Sequence, residues 1–170
     1  MPNWVYNQID IDAKDSDISK IISEITDKDG DISFTKIMPP AETAVLDDLR
    51  LHEWRVNNWG TKWEPDECNQ LSVFDNTAMY SFNTAWGSPL GAMRTLSRKY
   101  HIKVTCYYYD NDDFGNTCGM YELKSGRLTK SESHDYDHGG LDFIARCFGE
   151  DILEDYGYEQ QEDGSWEYVE

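Results

Sequence analysis

The chain of 170 residues is long enough for one domain with a hydrophobic core. Its 15 basic and 33 acidic side chains give a formal net charge of −18, which disfavours direct nucleic-acid binding because cations are needed against the phosphates. No apolar stretch approaches the roughly 18 residues of a membrane span, and the N-terminus lacks the pattern of a signal peptide. A cytosolic protein is therefore expected, and the aromatic content of 14% argues against disorder throughout.

The first part of the chain predicts a strand, a helix and a short extended segment. Residues 4–12 alternate as in a half-buried strand. Asp15 and Ser16 are candidate caps for a helix whose isoleucines recur at three and four residues up to Ile25. Residues 33–38 indicate an extended segment that two prolines stop, and residues 41–54 are compatible with a helical insertion.

The central part of the chain continues this order. Residues 70–74 and 78–84 predict two strands that turn at Asp75-Asn76. Ser88-Pro89 is a typical start for a second helix, and residues 102–109 and 118–123 predict strands on either side of a polar turn. The order β-α-β-β-α-β is that of the ferredoxin-like split β-α-β fold, of class α+β with an antiparallel sheet and an insertion around residues 41–66.

Three tryptophan motifs resemble the signature of a known family. The motifs are Met1-Pro2-Asn3-Trp4, Asn58-Trp59-Gly60-Thr61-Lys62-Trp63 and Thr84-Ala85-Trp86. Over residues 1–126 the pattern resembles the YubB-like family of phage- and plasmid-borne proteins, with Val5 in place of the usual Cys and Gly87-Ser88-Pro89 in place of a double proline. The resemblance implies a ferredoxin-like α+β domain of a mobile-element protein, found in a host cell and without an established activity.

Residues 127–170 are predicted as an appendage to a ferredoxin-like domain of residues 1–126. Residues 128–131 are expected to continue the sheet edge, and residues 140–148 predict a helix. From residue 150 to residue 170 the chain carries nine acidic side chains and neither Lys nor Arg. This acidic end is expected to be weakly ordered.

No motif supports catalysis, a metal site or a cofactor. The four cysteines lack a zinc-ligand spacing and are predicted to be reduced thiols, with Cys106 and Cys118 as candidate cross-strand neighbours. Residues 110–115 are similar to an EF-hand loop, but the twelfth position is not Glu, so a polar hairpin turn is favoured. His134 and His138 leave a metal-binding face as the alternative to a solvated loop. The prediction is a non-enzyme with no catalytic residue, metal or cofactor.

The acidic C-terminus has two interpretations. The first is a solvated tail that aids solubility. The second is a nucleic-acid mimic, in which carboxylates on a folded surface occupy the cationic groove of a nuclease or another nucleic-acid-handling protein. The second interpretation predicts an accessory protein that binds and inhibits a basic host protein in counter-defence, without a membrane or nucleic-acid partner. The binding residues expected in this segment are Glu150, Asp151, Glu154 and Asp155.

The tryptophan-rich segment leaves another function open. A ring-lined groove would suit a base, a sugar or a peptide side chain, with Lys62 over an indole face. The alternative is that the rings pack with one another as an aromatic core, with Asn and Thr side chains bonded to buried backbone groups. The groove interpretation predicts a small-molecule or peptide binding module. Its binding residues are Trp59, Lys62, Trp63 and Trp86.

Overall fold

A computed structural model describes residues 2–14, 16–40, 48–135 and 139–169 of the chain. Its strands are β1 (Trp4–Asp12), β2 (Asp66–Phe74), β3 (Thr77–Ala85), β4 (Lys103–Asp110), β5 (Thr117–Lys124), β6 (Arg127–Asp135), β7 (Tyr158–Gln160) and β8 (Trp166–Tyr168). Its helices are α1 (Ile18–Ile25), α2 (Phe34–Ile37), α3 (Asp48–Trp59), α4 (Leu90–Tyr100), α5 (Gly139–Phe148) and α6 (Asp151–Asp155). The larger sheet has the strand order β2-β3-β1-β4-β5-β6, and β7 pairs with β8.

Four neighbouring strands of the larger sheet have the connectivity of the ferredoxin-like fold. In the order β2-β3-β1-β4, α1 lies between β1 and β2 in the chain and α4 lies between β3 and β4, with antiparallel pairing throughout. The strands and the two helices predicted for this unit are confirmed. β5 and β6 extend the sheet beyond it, so the predicted strand at 128–131 is confirmed as well. The predicted boundary after residue 126 falls in the turn between β5 and β6, and the division there stays a prediction.

One face of the sheet, the first face, is covered by α1, α2 and α4. Strand alternation directs Ile9 and Ile11 of β1 toward this side, where both are fully buried. Phe82 of β3 packs there edge-on against Phe34 of α2, and Leu96 of α4 is also fully buried. The first face therefore carries a continuous apolar core.

The opposite side of the sheet, the second face, is covered over only part of its area. Phe143 and Ile144 of α5 and Leu153 of α6 are buried against Tyr109 and Met120. These contacts cover the part of the face near the β4–β5 turn. Near the centre of the sheet a cavity opens on the same face.

Residues 33–38 were predicted as extended, and this prediction is wrong because α2 forms there. The Ser33 side chain accepts a hydrogen bond from the Lys36 backbone N–H. The Glu64 carboxylate, from a distant part of the chain, accepts hydrogen bonds from the backbone N–H groups of Phe34 at 2.6 Å and Thr35 at 2.9 Å. Since the first N–H groups of a helix need acceptors, this long-range cap stabilises a turn that local sequence does not indicate.

The first helix also begins differently from the prediction. Asp17 caps α1 by accepting hydrogen bonds from the backbone N–H groups of Ser19 and Lys20, whereas Asp15, one of the predicted caps, lies outside the described residues. Of the predicted insertion at 41–54, residues 41–47 also lie outside, and α3 begins at Asp48.

Cys106 and Cys118 are not cross-strand neighbours, so that prediction is wrong. The register of β4 and β5 pairs Cys106 with Tyr121 and Cys118 with Tyr109. Cys106 belongs to the first-face core and Cys118 to the second-face core, which places their side chains on opposite sides of the sheet. No disulfide bond joins any of the four cysteines, all of which lie in the described part of the chain.

The acidic end was predicted to be weakly ordered, and the structure corrects this expectation for residues 151–168. They form α6 and the β7–β8 hairpin. The reason is tertiary packing, because apolar side chains of this end complete the second-face core. Among the described residues no helix is long and apolar enough to cross a membrane.

Candidate functional site

The tryptophan cluster, defined as Trp4, Lys62, Trp63 and Trp86, lies at the end of the sheet where β1 begins and β3 ends. The Lys62 Nζ atom is 4.3 Å from the ring centroid of Trp86 and 5.0 Å from that of Trp63. The Trp4 and Trp63 ring centroids are 6.1 Å apart. The ammonium group therefore makes cation–π contacts with two indoles at once.

Backbone geometry holds Trp86 at the surface. Its φ angle is +71°, a value that aromatic residues rarely adopt, and its indole is 57% exposed. The backbone N–H of Trp86 donates a hydrogen bond to the Asn3 carbonyl at 2.9 Å, and the Thr61 hydroxyl donates one to the Ala85 carbonyl at 2.8 Å. These bonds fix Trp86 and the segment before Lys62 to the end of β3. A constrained backbone that presents an exposed ring is typical of a functional position.

Trp59 belongs to the first-face core and is separate from the tryptophan cluster. It is fully buried and packs edge-on against Phe34 and Trp54, with ring centroids 5.7 Å and 5.8 Å away. Its indole N–H donates a hydrogen bond to the Met38 carbonyl at 2.9 Å. The chain turns at Gly60, whose φ of +93° suits glycine; Thr61 is still buried, and Lys62 and Trp63 are half-buried. The predicted groove is corrected on this point, because Trp59 is not one of its walls.

The proposed core role of the polar neighbours is confirmed for two asparagines. The buried Asn7 amide donates hydrogen bonds to the Val5 carbonyl and the Thr84 hydroxyl, each at 2.8 Å. The Asn58 amide donates to the Trp54 carbonyl at 2.8 Å. These side chains serve the fold, and they explain part of the polar composition around the tryptophans.

The acidic segment, defined as residues 150–168, presents the four carboxylates that the sequence singled out. All four are exposed, one at the N-cap of α6 and three within it: Glu150, Asp151, Glu154 and Asp155. Two pairs among them are four residues apart, so each pair shares a helix face at a Cβ separation of about 5–6 Å. Like charges at this spacing destabilise an isolated helix.

The hairpin of the acidic segment repeats this arrangement of like charges. Glu159 of β7 lies directly opposite Glu167 of β8, and both side chains are exposed. Like charges at directly opposed positions destabilise a strand pair. Repulsion between like charges thus disfavours both α6 and the β7–β8 hairpin. Contacts of the acidic segment with the rest of the protein must compensate for this repulsion.

Those contacts come from apolar side chains of the acidic segment. Leu153 is fully buried, and the Tyr156 ring stacks on Phe114 with centroids 3.8 Å apart and planes 6° from parallel. The Tyr156 hydroxyl donates a hydrogen bond to the Asn111 side chain at 3.2 Å. The carboxylates of α6 are consequently carried by a folded element that is fixed to the sheet.

The loop at residues 111–116 contacts both the tryptophan cluster and the acidic segment. The backbone N–H of Asn111 donates a hydrogen bond to the Trp4 carbonyl at 2.8 Å, and the backbone N–H of Trp4 donates one to the Asp112 carboxylate at 3.2 Å. The same Asn111 accepts the hydrogen bond from Tyr156 of the acidic segment. The tryptophan cluster and the acidic segment therefore flank one loop at the same end of the sheet.

A third feature, which we call the second-face cavity, has a volume of about 390 Å³ and includes Asp10 and Tyr107 in its lining. The Asp10 Oδ1 atom is buried and has no hydrogen-bond partner among the described residues. Burial raises the pKa of the Asp10 carboxyl, and the nearby Lys103 ammonium opposes that rise. A poorly solvated carboxylate in a cavity is a candidate binding group.

The cavity does not follow from the local sequence pattern. Asp10 occupies a polar position of an alternating strand, which indicates a solvent-facing side chain. Its burial depends on β4 and β3 flanking β1, and on further strands beyond them. A signal was present in the acidic residue in the middle of a strand, since Asp is unfavourable there.

The candidate metal and thiol sites give little support for chemistry. Residues 110–116 form a hairpin turn in which the Asp110 carboxylate accepts hydrogen bonds from the N–H groups of Asp112 and Asp113, which confirms the polar-turn prediction. Part of the His134–His138 stretch lies outside the described residues. Within the described ranges no group of three His, Cys, Asp or Glu side chains is placed to hold a metal ion. Burial raises the pKa of the Cys106 thiol to about 11, so it is protonated at neutral pH.

Comparison with known proteins gives a family and a fold. Residues 58–167, well over half of the chain, match the family described as the ferredoxin-like domain in Api92-like protein. The chain belongs to this family. The match confirms the predicted ferredoxin-like α+β fold, whereas the finer resemblance to YubB-like proteins stays a hypothesis.

One solved structure is similar to the chain, and no curated protein matches it significantly. The solved structure is a crystal structure of protein Api92 from Yersinia pseudotuberculosis, at 15% sequence identity and a TM-score of 0.44. The similarity covers 51% of this chain and 31% of that one. The chain thus spans about a third of the solved protein's length.

Proposed function

We propose that this chain is a non-enzymatic binding protein whose acidic segment captures a basic, nucleic-acid-handling protein. The observation that carries the proposal is the placement of Glu150 at the N-cap of α6, and of Asp151, Glu154 and Asp155 within it, on an element packed against the second-face core. A fixed set of carboxylates can match the cationic groove of a partner with little loss of conformational entropy. This is the arrangement that a nucleic-acid mimic requires.

Charge supports the same proposal. The net charge of −18 attracts a basic partner at long range and repels nucleic acid itself. A cationic partner would also relieve the repulsion between like charges within α6 and between Glu159 and Glu167. The acidic segment is therefore better matched to a basic surface than to solvent.

The resemblance to YubB-like proteins adds a biological setting to the proposal. A phage or plasmid accessory protein acts in the cytoplasm of a host cell, where a nuclease is a natural target for counter-defence. Capture of such a nuclease would block the groove in which it binds nucleic acid. We assign no catalytic residue to the chain in this role.

The experiment is a tagged pull-down from a bacterial lysate at low and high salt, with two charge variants. The site variant carries Glu150→Gln, Asp151→Asn, Glu154→Gln and Asp155→Asn. The control variant removes the same number of charges at exposed positions elsewhere: Asp29→Asn, Asp48→Asn, Glu53→Gln and Asp75→Asn. The two variants have equal net charge, so they separate the acidic segment from overall acidity.

The proposal expects a basic protein that wild type and the control variant capture at low salt, and that high salt and the site variant release. In a second step the purified partner should lose its binding to labelled DNA or RNA when the chain is added. Equal capture by both variants would contradict a role for the acidic segment. Undiminished nucleic-acid binding by the partner would contradict mimicry.

The tryptophan cluster supports a second candidate function, a small-molecule or peptide binding module. The exposed Trp86 ring with Lys62 between it and Trp63 is the observation in its favour. Intrinsic fluorescence should report binding of nucleobases, sugars or short peptides, and Trp86→Ala should abolish the response. Phe74→Ala, at an aromatic residue that is 74% exposed near the opposite end of the sheet, is the matched control. An unchanged response in Trp86→Ala would overturn this function.

A further inference from the structure

The second-face cavity is built on a row of side chains that crosses all six strands of the larger sheet. Antiparallel register places directly opposed residues on the same face. Asp10 lies opposite Met79 on one side and Thr105 on the other, so it occupies the middle of the row. The complete row, from β2 to β6, is Ser72, Met79, Asp10, Thr105, Glu122 and Lys130.

Three charged groups in or beside the cavity have partners within the chain, and Lys130, at the β6 end of the row, is exposed. The Lys103 ammonium forms a salt bridge with Asp12 at 3.3 Å. The Arg146 guanidinium forms one with Glu132 at 2.7 Å. The Glu122 carboxylate accepts a hydrogen bond from the Thr129 hydroxyl at 2.6 Å.

Asp10 differs from these groups. Its Oδ1 atom is buried and has no hydrogen-bond partner among the described residues. A buried acceptor without a donor costs free energy, and an ionised one costs more. The cavity therefore contains, near its middle, a buried carboxylate oxygen to which no described residue donates a hydrogen bond.

Part of the lining is apolar and aromatic. On the neighbouring row Tyr107 lies directly opposite Met120, and both side chains line the cavity. A tyrosine ring attracts a cation over its face, and a thioether packs against alkyl chains. The cavity volume of about 390 Å³ is in the range of small-molecule sites.

We propose that the second-face cavity binds a small organic cation, a protonated amine or a guanidinium with a short apolar group. Its N–H groups donate hydrogen bonds to the Asp10 carboxylate, and its apolar part packs against Tyr107 and Met120. This site contains no residue of the tryptophan cluster or the acidic segment. It stands independently of the proposed function.

The test is a titration followed by ¹H–¹⁵N NMR spectra with butylammonium and methylguanidinium as probes. Butanol and butyrate are the neutral and anionic comparisons of similar size. Wild type is compared with Asp10→Asn, which keeps the shape and removes the charge, and with Asp75→Asn, which removes one exposed charge outside the cavity. Blocked arginine amide is a further probe, which represents the side chain of a protein partner.

The site predicts shifts centred on Asp10, Thr105, Tyr107 and Met120 with the two cations. Affinity should fall about tenfold or more in Asp10→Asn, as expected for a lost hydrogen bond to a charged group, and stay unchanged in Asp75→Asn. Tyr107→Leu, which keeps an apolar wall but removes the ring, should weaken binding of butylammonium and provides the test if Asp10→Asn does not fold. Equal binding of butanol, equal affinity in Asp10→Asn, or shifts located elsewhere would overturn the site. Binding of the blocked arginine alone would also overturn it, because the natural occupant would then be a partner's side chain.

Discussion

The two faces of the six-stranded sheet differ in how completely other elements cover them. On the first face α1, α2 and α4 cover a continuous set of apolar side chains, with Ile9, Phe82 and Leu96 fully buried. On the second face α5, α6 and the β7–β8 hairpin cover one part, and a polar cavity opens around Asp10. This second face and its cover carry the unpaired Asp10 oxygen and the like-charged pairs of the acidic segment.

The difference indicates where function lies. Apolar contacts on the first face need no further partner. The second face combines an unsatisfied carboxylate with a cover that repeats like charges within α6 and between Glu159 and Glu167. Both features are costly in the isolated protein and would become favourable with a cation or a basic surface bound. Binding is therefore expected on the second side of the sheet.

The largest expected effect separates two tryptophans of the same sequence signature. Trp59→Ala should lower the free energy of unfolding by about 3–5 kcal/mol, because Trp59 is fully buried among aromatic rings. Trp86→Ala should change it by less than about 1 kcal/mol, since that ring is largely exposed. Urea unfolding measured by circular dichroism gives both values. Equal losses for the two variants would contradict the separation of core from cluster.

The next effect tests whether the acidic segment is part of the fold. Leu153→Ala should cost about 2–5 kcal/mol, as should Leu96→Ala on the first face, because both side chains are fully buried. Leu128→Ala, at a side chain that is 48% exposed, should cost less than about 0.5 kcal/mol and serves as the control. If Leu153→Ala behaved like Leu128→Ala, the segment would not be held by its packing.

A smaller effect should appear in the pH dependence of stability. Burial raises the pKa of folded Asp10 above its ordinary value of 3.8, so the native state binds this proton more tightly than the unfolded state does. Stability from this group is present at low pH and is lost as pH rises through the raised value. Asp10→Asn removes the loss, so the advantage of the variant over wild type should grow from about pH 4 up to the raised pKa and stay constant above it.

Thermal unfolding of wild type and Asp10→Asn between pH 3 and pH 7 measures this difference. Asp12→Asn is an informative comparison, because its carboxylate forms the salt bridge with Lys103 and its removal should not stabilise the protein at neutral pH. A constant difference between wild type and Asp10→Asn across the range would show that the Asp10 carboxyl titrates normally.

The smallest effect concerns the β7–β8 hairpin. Glu167→Lys places opposite charges directly across from each other and should stabilise the protein by about 0.2–1 kcal/mol. Glu162→Lys makes the same change in net charge outside the strand pairing and is the matched control. Urea unfolding of the two variants isolates the contribution of the cross-strand charge pair to the free energy of unfolding. Equal gains in both variants would assign the effect to net charge alone.

Much of the fold could be predicted because local pattern and tertiary structure agree. Alternation in β1 and the isoleucine spacing of α1 follow directly from which side chains the first face buries. α2 could not be predicted, since the Glu64 carboxylate that caps it is distant in sequence. The acidic end was expected to be weakly ordered, whereas Tyr156 and its aromatic contacts stabilise it.

The candidate sites were less predictable for related reasons. The signature groups Trp59 with Lys62 and Trp63, although Trp59 is fully buried and the two residues beyond the turn at Gly60 and Thr61 are half-buried. In the sequence Asp10 is an ordinary polar position of a strand, and its burial follows only from the strands that flank β1 in the sheet. Composition could identify the acidic segment but not whether its carboxylates are held in place, which depends on long-range packing.

Amide hydrogen exchange over residues 150–169, followed by NMR, tests the order of the acidic segment most directly. The Gln161 N–H donates to the Ser165 carbonyl at 2.8 Å and the Val169 N–H to the Gly157 carbonyl at 2.7 Å, so both should exchange far more slowly than in an unstructured peptide. Protection of these amides, together with those of α6, is the result that a folded array of carboxylates predicts. Exchange at unstructured rates, in a protein whose β1 amides are protected, would contradict it.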